Sequence, residues 1–354
     1  MKSRFSLGVV MIAFVLIVAG CIALIELQQS SVIALTLARQ KTMYIAREYA
    51  RELDVKIGGY IQVLQTLSSL TNFYESIEPE MRRQTCENTI QSVFEDMPEF
   101  VQMFTVWKPD AIDGMDSRYI NRVGATETGQ FALTLTRETG KVAPMTSDVV
   151  QEAMAHLAGP NNKSVEIAGP TIIKLSGKDT WCIRIMVPVV NKRLNESVAV
   201  IGCQFNIELI QFLVEQTIKD NDEISGMAIY TNTGFILANY PPDIIGKQLA
   251  DVGTQYGSYL SEAVLAVKNA QEYECSSYDP EMKTNMIMSI APIPLAASPT
   301  TWAIMVGSTE KRILKEVNQL RQLVIVLMSI TIVVAAVLIC FALKRTTKPV
   351  KSIK

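Results

Sequence analysis

The sequence predicts a membrane-anchored α/β protein with a long N-terminal helix, two tandem α/β units and a transmembrane helix at each end. The sheets of both units should be mixed and mainly antiparallel. Mean hydropathy is +0.21, which is high for a chain with 19% charged residues, so the apolar residues should be concentrated in discrete segments. Between those segments, a helical spacing of apolar residues is followed by short apolar runs broken by Gly, Pro and Asp.

Two uncharged apolar runs are long enough to cross a bilayer. They cover residues 5–25 and 323–343, each 21 residues, and each makes a helix of about 30 Å. We predict transmembrane helices at 5–27 and 323–343. The residues around Cys21 also resemble a lipoprotein cleavage site, but the chain stays apolar after Cys21, which favours an uncleaved membrane helix.

The charged flanks of the two runs predict the orientation. Lys2 and Arg4 precede the first run, and five basic residues without an acidic one follow the second. Basic flanks stay in the cytoplasm, so residues 1–4 and 344–354 should be inside and residues 28–322 outside. The outer part carries 26 basic and 34 acidic side chains, a net charge of −8, which argues against a nucleic-acid partner.

Within the outer part we predict four segments. A long helix at 28–77 has small or apolar residues every three or four positions, at Ala46, Ala50, Leu53, Ile57, Tyr60, Leu64 and Leu67. A membrane-distal unit follows at 78–219, a membrane-proximal unit at 220–309 and a connecting helix at 310–322. Strands are expected at 100–108, 129–137, 180–190 and 197–207 in the distal unit, and at 226–231, 234–239, 273–278, 284–293 and 301–307 in the proximal unit.

Four cysteines lie in the outer part, and their spacing does not fit a metal site. Cys182 and Cys203 flank a hairpin that turns near residues 192–195, so a disulfide between them is one alternative. Buried free thiols are the other, and they are favoured because a bridge between neighbouring strands strains disulfide geometry.

No enzyme, metal or cofactor site is expected. Asp110, Asp113 and Asp116 do not have the alternating spacing of a calcium loop, so these carboxylates should fix turns. His156, the only histidine, lies on a predicted helix and should have a structural role. No nucleophile elbow or phosphate loop occurs in the outer part.

Several segments together resemble the double Cache ectodomain of bacterial methyl-accepting chemotaxis receptors. They are Lys-Pro-Asp-Ala-Ile-Asp-Gly-Met-Asp at 108–116, Thr-Gly-Gln-Phe at 128–131, the hairpin from Val187-Pro188 to Ala-Val-Ile-Gly-Cys-Gln at 199–204, and the repeat-like segments 234–239, 245–249 and 301–307. The resemblance implies two PAS-like (Cache) units and a small ligand bound in the distal one. Residues 344–354, with Pro349, resemble the start of a HAMP linker.

The resemblance also points to ligand-contacting positions. Gln130 stands where the family has an arginine, residues 133–135 where it has Pro-Tyr-Trp, and Gln204 where it has an aspartate. An amino acid held in the usual way is disfavoured, because its charged ends would be buried without charged partners. We therefore expect a neutral or differently arranged ligand near Trp107, Asp116, Gln130, Thr134, Arg184 and Gln204.

The partners implied by the resemblance are a second copy of the chain, the bacterial cytoplasmic membrane and, through a cytoplasmic part, the chemotaxis kinase and its coupling protein. A histidine kinase or a diguanylate cyclase is an alternative output. A membrane-anchored protein-interaction module is a further alternative, and the second membrane helix argues against it.

Overall fold

The computed structural model describes residues 2–138, 142–143, 145–175, 177–280, 282–295 and 298–346. The helices are α1 (Lys2–Thr71), α2 (Pro79–Asp96), α3 (Ser147–Ala158), α4 (Glu208–Asp220), α5 (Leu249–Val252), α6 (Leu260–Lys268), α7 (Glu310–Ile313) and α8 (Lys315–Thr346). Short 3-10 turns occur at Tyr74–Ser76, Asp116–Arg118, Pro242–Ile244 and Thr254–Tyr259.

The distal sheet has six strands in the order β3-β2-β1-β6-β5-β4. The strands are β1 (Phe100–Trp107), β2 (Ala132–Thr136), β3 (Val142–Ala143), β4 (Glu166–Leu175), β5 (Lys178–Asn191) and β6 (Glu196–Asn206). The strands β5 and β6 form the predicted hairpin, in which Val187 faces Ile201.

The proximal sheet has five strands in the order β8-β7-β11-β10-β9. The strands are β7 (Gly226–Tyr230), β8 (Ile236–Tyr240), β9 (Tyr273–Asp279), β10 (Thr284–Ile293) and β11 (Trp302–Thr309). All strand pairs described in the two sheets are antiparallel, in agreement with the predicted fold class.

The long helix α1 contributes to the core of both sheets. Its predicted stripe is buried, and it belongs to one apolar cluster with the inner faces of the distal and proximal sheets. Two buried hydrogen bonds fix the register of the helix. The Thr42 hydroxyl lies 2.8 Å from the Ser289 hydroxyl in β10, and Ser68 donates to the carbonyl of Pro188 in β5 at 2.8 Å.

Contacts outside α1 also join the distal and proximal units. Gln211 in α4 and the backbone of Asn239 in β8 exchange two hydrogen bonds of 3.0 Å, because the Gln211 amide donates to the Asn239 carbonyl and accepts from its N–H. The rings of Trp181 and Phe235 meet edge to face with centroids 5.1 Å apart. This aromatic pair gains stability beyond the area it buries.

Two helices are long and apolar enough to cross a membrane, namely the N-terminal part of α1 and α8. They pack together at Gly20, where a Cβ atom would overlap the side chain of Met328. Small residues allow such close approach between membrane helices. The predicted helix beginning at Glu310 is interrupted at Leu314, but hydrogen bonds from Leu314 N–H to the Glu310 carbonyl and from Asn318 N–H to the Leu314 carbonyl connect α7 to α8.

Two expectations from the sequence need correction. The edge strand β4 and the short strand β3 were not predicted; β4 alternates between half-buried and exposed positions and contains Pro170, so its apolar pattern is weak. Cys182 and Cys203 are not opposite one another, because Cys182 faces Asn206 and Cys203 faces Ile185. Both are buried free thiols, which was the favoured alternative.

Candidate functional site

The face of the distal sheet that points away from α1 carries a row of polar side chains. We call it the outer face. Cross-strand pairing places Gln102 of β1 beside Gln204 of β6, and Gln204 beside Arg184 of β5. Directly opposed residues in antiparallel strands point to the same side of a sheet. Three neighbouring central strands therefore each contribute one polar side chain to a single line.

These side chains form a connected set of hydrogen bonds, which we call the Arg184 network. In the amide orientation that satisfies its neighbours, Gln204 donates to Oε1 of Gln102 at 2.6 Å and accepts from Nη2 and Nε of Arg184 at 2.7 and 2.8 Å. Nη1 of Arg184 pairs with a carboxylate oxygen of Glu152, and Asp148 lies 4.0 Å from Nη2. Every nitrogen of the Arg184 guanidinium thus faces an oxygen acceptor.

The centre of the Arg184 network is buried, whereas Gln102 is half-buried and the side chains of Glu152 and Asp148 reach solvent. Arg184 is 1% exposed and Gln204 is fully buried. Burial lowers the pKa of Arg184, and the nearby Asp148 carboxylate acts in the opposite direction. An arginine keeps its charge in proteins, so the network holds a positive charge that must be paired. The hydrogen bond to Thr146 is the main cause that lowers the pKa of Asp148, and Arg184 adds to it.

Helix α3 covers the outer face. Its residues Val149, Ala153 and Leu157 pack against an apolar patch of the sheet that includes Phe104 and Met186. Both acidic partners of Arg184 lie on the first turns of the same helix. Near the other end of α3, Nδ1 of His156 pairs with a carboxylate oxygen of Glu166 in β4. Polar side-chain contacts therefore fix α3 to the sheet on both sides of an apolar centre.

Two other predicted residues lie close to this face. Thr134 of β2 is buried and faces Phe104. Gln130, at the entry to β2, donates to the carbonyl of Trp107 at 2.6 Å and contacts the sulfur of Met154 in α3 at 3.4 Å. Of the six candidates, the structure thus brings Thr134, Gln130, Arg184 and Gln204 to the outer face or its border with α3.

Trp107 is not on this face. It alternates with Val106 along β1 and is buried in the cluster around α1, where its ring meets Tyr74 edge to face with centroids 4.9 Å apart. Its indole ring is separated from the Arg184 network by the sheet itself. A role for Trp107 in binding stays a prediction from the sequence.

Asp116 lies in a second buried group, the Arg83 cluster, consisting of Arg83, Asp113, Asp116 and Tyr119. Arg83 of α2 binds Asp113 at 2.7 Å and Asp116 at 2.5 Å, and its guanidinium lies 3.9 Å from the ring centroid of Tyr119. Asp116 also accepts from the backbone N–H of Asp110. These carboxylates fix the loop, as the sequence predicted, and the carboxylate of Asp116 binds Arg83 and the backbone of Asp110, not a member of the Arg184 network.

Within the described residues, no group of three or more His, Cys, Asp or Glu side chains is arranged to hold a metal ion. The three loop carboxylates that invited a calcium interpretation are used by Arg83 and by backbone N–H groups. These contacts account for the acidic spacing.

Sequence reasoning missed Gln102 and Glu152. The register that pairs Gln102 with Gln204 is set by long-range strand pairing between β1 and β6, which the local pattern does not reveal. Glu152 lies on α3, and its local sequence does not mark it as a partner of Arg184. One signal was available: Arg184 interrupts the apolar run of β5, and a buried arginine requires an acidic partner.

No protein-family profile and no curated protein matches this chain. Solved structures do match. The extracellular domain of mmHK1S-Z3, a protein assigned as a histidine kinase, has a TM-score of 0.65 at 21% identity, covering 80% of this chain and 98% of that one. The periplasmic sensory domain of the Campylobacter jejuni chemoreceptor Tlp1 has a TM-score of 0.63 at 18% identity, covering 80% of this chain and 98% of that one.

A third similar structure contains a ligand. The ligand-binding domain of the Pseudomonas aeruginosa PAO1 amino-acid chemoreceptor PctC, in complex with GABA, has a TM-score of 0.51 at 12% identity, covering 76% of this chain and 99% of that one. At these identities the likeness shows the fold alone. The chain has the fold of extracellular sensory domains from chemoreceptors and histidine kinases, as the double Cache resemblance predicted.

Proposed function

We propose that this chain is the sensing part of a transmembrane receptor, which binds a small extracellular ligand at the outer face of the distal sheet. The Arg184 network carries this proposal. Arg184 and Gln204 are buried polar side chains on a sheet face covered by one short helix, a setting in which a few polar groups can provide directional hydrogen bonds to a ligand. The similar structures are sensory domains, and one of them is described with a bound ligand.

The proposed ligand contacts are Gln130, Thr134, Arg184 and Gln204, together with Gln102. In the family that the sequence resembles, an arginine and an aspartate that hold an amino acid stand at the positions of Gln130 and Gln204. We therefore do not expect this chain to hold an amino acid in that way. Gln204 instead accepts hydrogen bonds from Arg184. A ligand ammonium group at this position would face a guanidinium, and like charges repel.

The proposed signal route is mechanical. The connection from β11 into α7 and α8 is short, because Thr309 ends the last strand and Glu310 begins the next helix. A displacement of the proximal sheet would therefore move α8. The membrane topology, the homodimer and the contact with a chemotaxis kinase and its coupling protein belong to the same proposal. A histidine kinase output is equally compatible with the fold, because both kinds of receptor are among the similar structures.

Ligand binding can be tested by thermal unfolding of the full chain in lipid nanodiscs. Trp107 and Trp302 are both buried, so tryptophan fluorescence reports the unfolding of both sheets. Amino acids, amines, organic acids, purines and sugars would be screened. A ligand at 100 times its Kd stabilises the folded state by about 2.7 kcal/mol.

The matched variant for this screen is Gln204→Ala. We expect a saturable rise of the unfolding temperature in the wild type that is lost in the variant. A rise caused by ordinary amino acids would contradict our inference that Gln130 and Gln204 do not hold the charged ends of an amino acid. Unchanged unfolding with every compound would contradict direct small-molecule sensing and favour a protein partner.

The signal route has its own test. The chain would be fused to the cytoplasmic part of a chemoreceptor, and Gly-Pro would be introduced at Asn318-Gln319, in the first turns of α8. Proline interrupts a helix and glycine weakens it. We expect ligand binding to persist while kinase control is lost. Kinase control that is unchanged in this variant would contradict mechanical transmission through α8.

A further inference from the structure

The buried guanidinium of Arg184 on the outer face is already paired with a residue of the covering helix α3. Arg184 is 1% exposed, whereas its partner Glu152 is 34% exposed at the side chain. Of the two members of this pair, the carboxylate of Glu152 is therefore the one that solvent reaches. On the sheet side, the side-chain oxygen of the fully buried Gln204 accepts two hydrogen bonds from the guanidinium.

The surroundings of Arg184 resemble a binding site for a carboxylate, and the carboxylate that occupies this site belongs to Glu152 of the same chain. Nε and Nη2 are held by the Gln204 oxygen, which orients the guanidinium plane, and Nη1 is left for a carboxylate. Arginine binds carboxylates by charge-assisted hydrogen bonds, which are about twice as strong as neutral ones. Gln102 in turn holds the amide of Gln204, so the site is preorganised by two side chains.

The contacts between α3 and the sheet bear on whether a ligand carboxylate can replace Glu152 at Arg184. Among its described residues, Val149, Ala153 and Leu157 enter the apolar cluster beneath it, while Val150 and Met154 are only partly buried against that cluster. Its side chains are also attached by the pairs from Glu152 to Arg184 and from His156 to Glu166, and by the contact of Met154 with Gln130. An element with few buried apolar contacts opens at a lower free-energy cost than the core.

We propose that Arg184 is the anchor for a carboxylate of the ligand, and that Glu152 is an internal competitor which occupies the anchor until a ligand displaces it and shifts α3. This inference rests on the proposed sensing function and specifies its ligand class as a small organic acid. It also gives the binding event a structural consequence, because the group that is displaced belongs to the helix covering the site.

The test uses the full chain in nanodiscs and the variant Glu152→Ala. The side chain that this variant removes beyond Cβ has the size and charge of acetate. We expect the variant to unfold at a lower temperature than the wild type, because a buried arginine is left without its acid. Acetate should restore the unfolding temperature in a saturable manner, and acetamide, which has the same shape without the charge, should not.

Asp148→Ala is the matched control. Asp148 is on the same helix and near the same guanidinium, but it lies 4.0 Å from Nη2 and its side chain is 72% exposed. This variant should show no specific response to acetate above that of equal ionic strength from chloride. The double variant Glu152→Ala/Arg184→Met should also lose the response. Rescue by acetamide, or by acetate in either control, would overturn the proposal.

Competition is tested with Glu152→Gln, which keeps the shape of the side chain and remains informative where the alanine variant fails to fold. Binding midpoints for small mono- and dicarboxylates should be at least about tenfold lower in this variant than in the wild type. Equal midpoints in the two proteins would overturn the role of Glu152 as a competitor.

The two proposals fail in different ways. A compound that stabilises the wild type and Arg184→Met equally would keep small-molecule sensing and overturn the carboxylate anchor. A different result is that acetate restores the stability of Glu152→Ala while the wild type responds to no compound. Arg184 would then remain a carboxylate-binding group. The competition between Glu152 and a ligand, and the sensing function itself, would both be overturned.

Discussion

The Arg83 cluster provides a quantitative test of how the distal unit is stabilised. The side chains of Arg83, Asp113 and Asp116 are 7%, 0% and 10% exposed, so screening by solvent is small. Replacing Arg83 by Met keeps most of the side-chain volume and leaves two buried carboxylates without their cation. Removing one partner of a buried ion pair costs about 3–5 kcal/mol.

For folded units of this size, 1 kcal/mol corresponds to roughly 2–4 °C, so we expect Arg83→Met to unfold about 10 °C below the wild type. Tryptophan fluorescence and circular dichroism of the full chain in nanodiscs would measure this shift. The neighbouring Arg82 is the control, because it donates to the backbone carbonyls of Ile77 and Ile112 rather than to buried carboxylates. Arg82→Met should cost clearly less.

The triple variant Arg83→Met/Asp113→Asn/Asp116→Asn separates charge from packing. It removes both unpaired charges, so it should be more stable than Arg83→Met alone. Equal unfolding temperatures for Arg83→Met and Arg82→Met, or a triple variant less stable than the single one, would refute the reasoning that ionic pairing fixes this loop.

Two further predictions concern the cysteines and the glycines. Burial raises the pKa of Cys86 and of Cys182 to about 12, so neither thiol should react with iodoacetamide at pH 8 in the folded protein, and both should react in urea without a reductant; mass spectrometry that finds Cys182 unlabelled in urea would indicate a disulfide. Gly202→Ala should destabilise the protein by about 1–3 kcal/mol, since its Cβ would overlap the Phe104 ring and lie 2.7 Å from the Ile185 carbonyl oxygen. Gly59→Ala, in α1 with nothing within 4 Å of the added Cβ, should instead stabilise it by about 0.5–1 kcal/mol in denaturant titrations, and equal signs for the two glycine variants would contradict this packing argument.

Local patterns predicted the elements whose signals are strong. The helical spacing from Ala46 to Leu67 is recognisable because one face of α1 is buried continuously, and the apolar runs of β5 and β6 are recognisable because most positions of these strands are buried on both faces of the sheet. The edge strand β4 escaped prediction, since an edge position with little burial has no comparable pattern. The break at Leu314 was also missed, because no Gly or Pro marks it.

The candidate site was predicted only in part. Gln204 and Arg184 were found by resemblance and by their polar character, but the sequence does not show that they are neighbours, which depends on the β5–β6 register. The face to which Trp107 points follows from the pairing of β1 with β6, in which Val106 and not Trp107 belongs to the side covered by α3. Side-chain partners that are distant in the chain, such as Glu152 for Arg184, become visible only when the strands are assembled.

The shared core along α1 has a consequence for exchanging parts between receptors. One helix supplies apolar side chains to two sheets, and its hydrogen bonds through Thr42 and Ser68 attach to different sheets. A recombinant that takes its distal strands from one receptor and its helix from another would pair surfaces that were shaped for different partners. Exchanges of parts should therefore move the helix and both sheets together, with junctions inside the long apolar segments of α1 and α8, where most described side chains are exposed and impose weaker demands on fit.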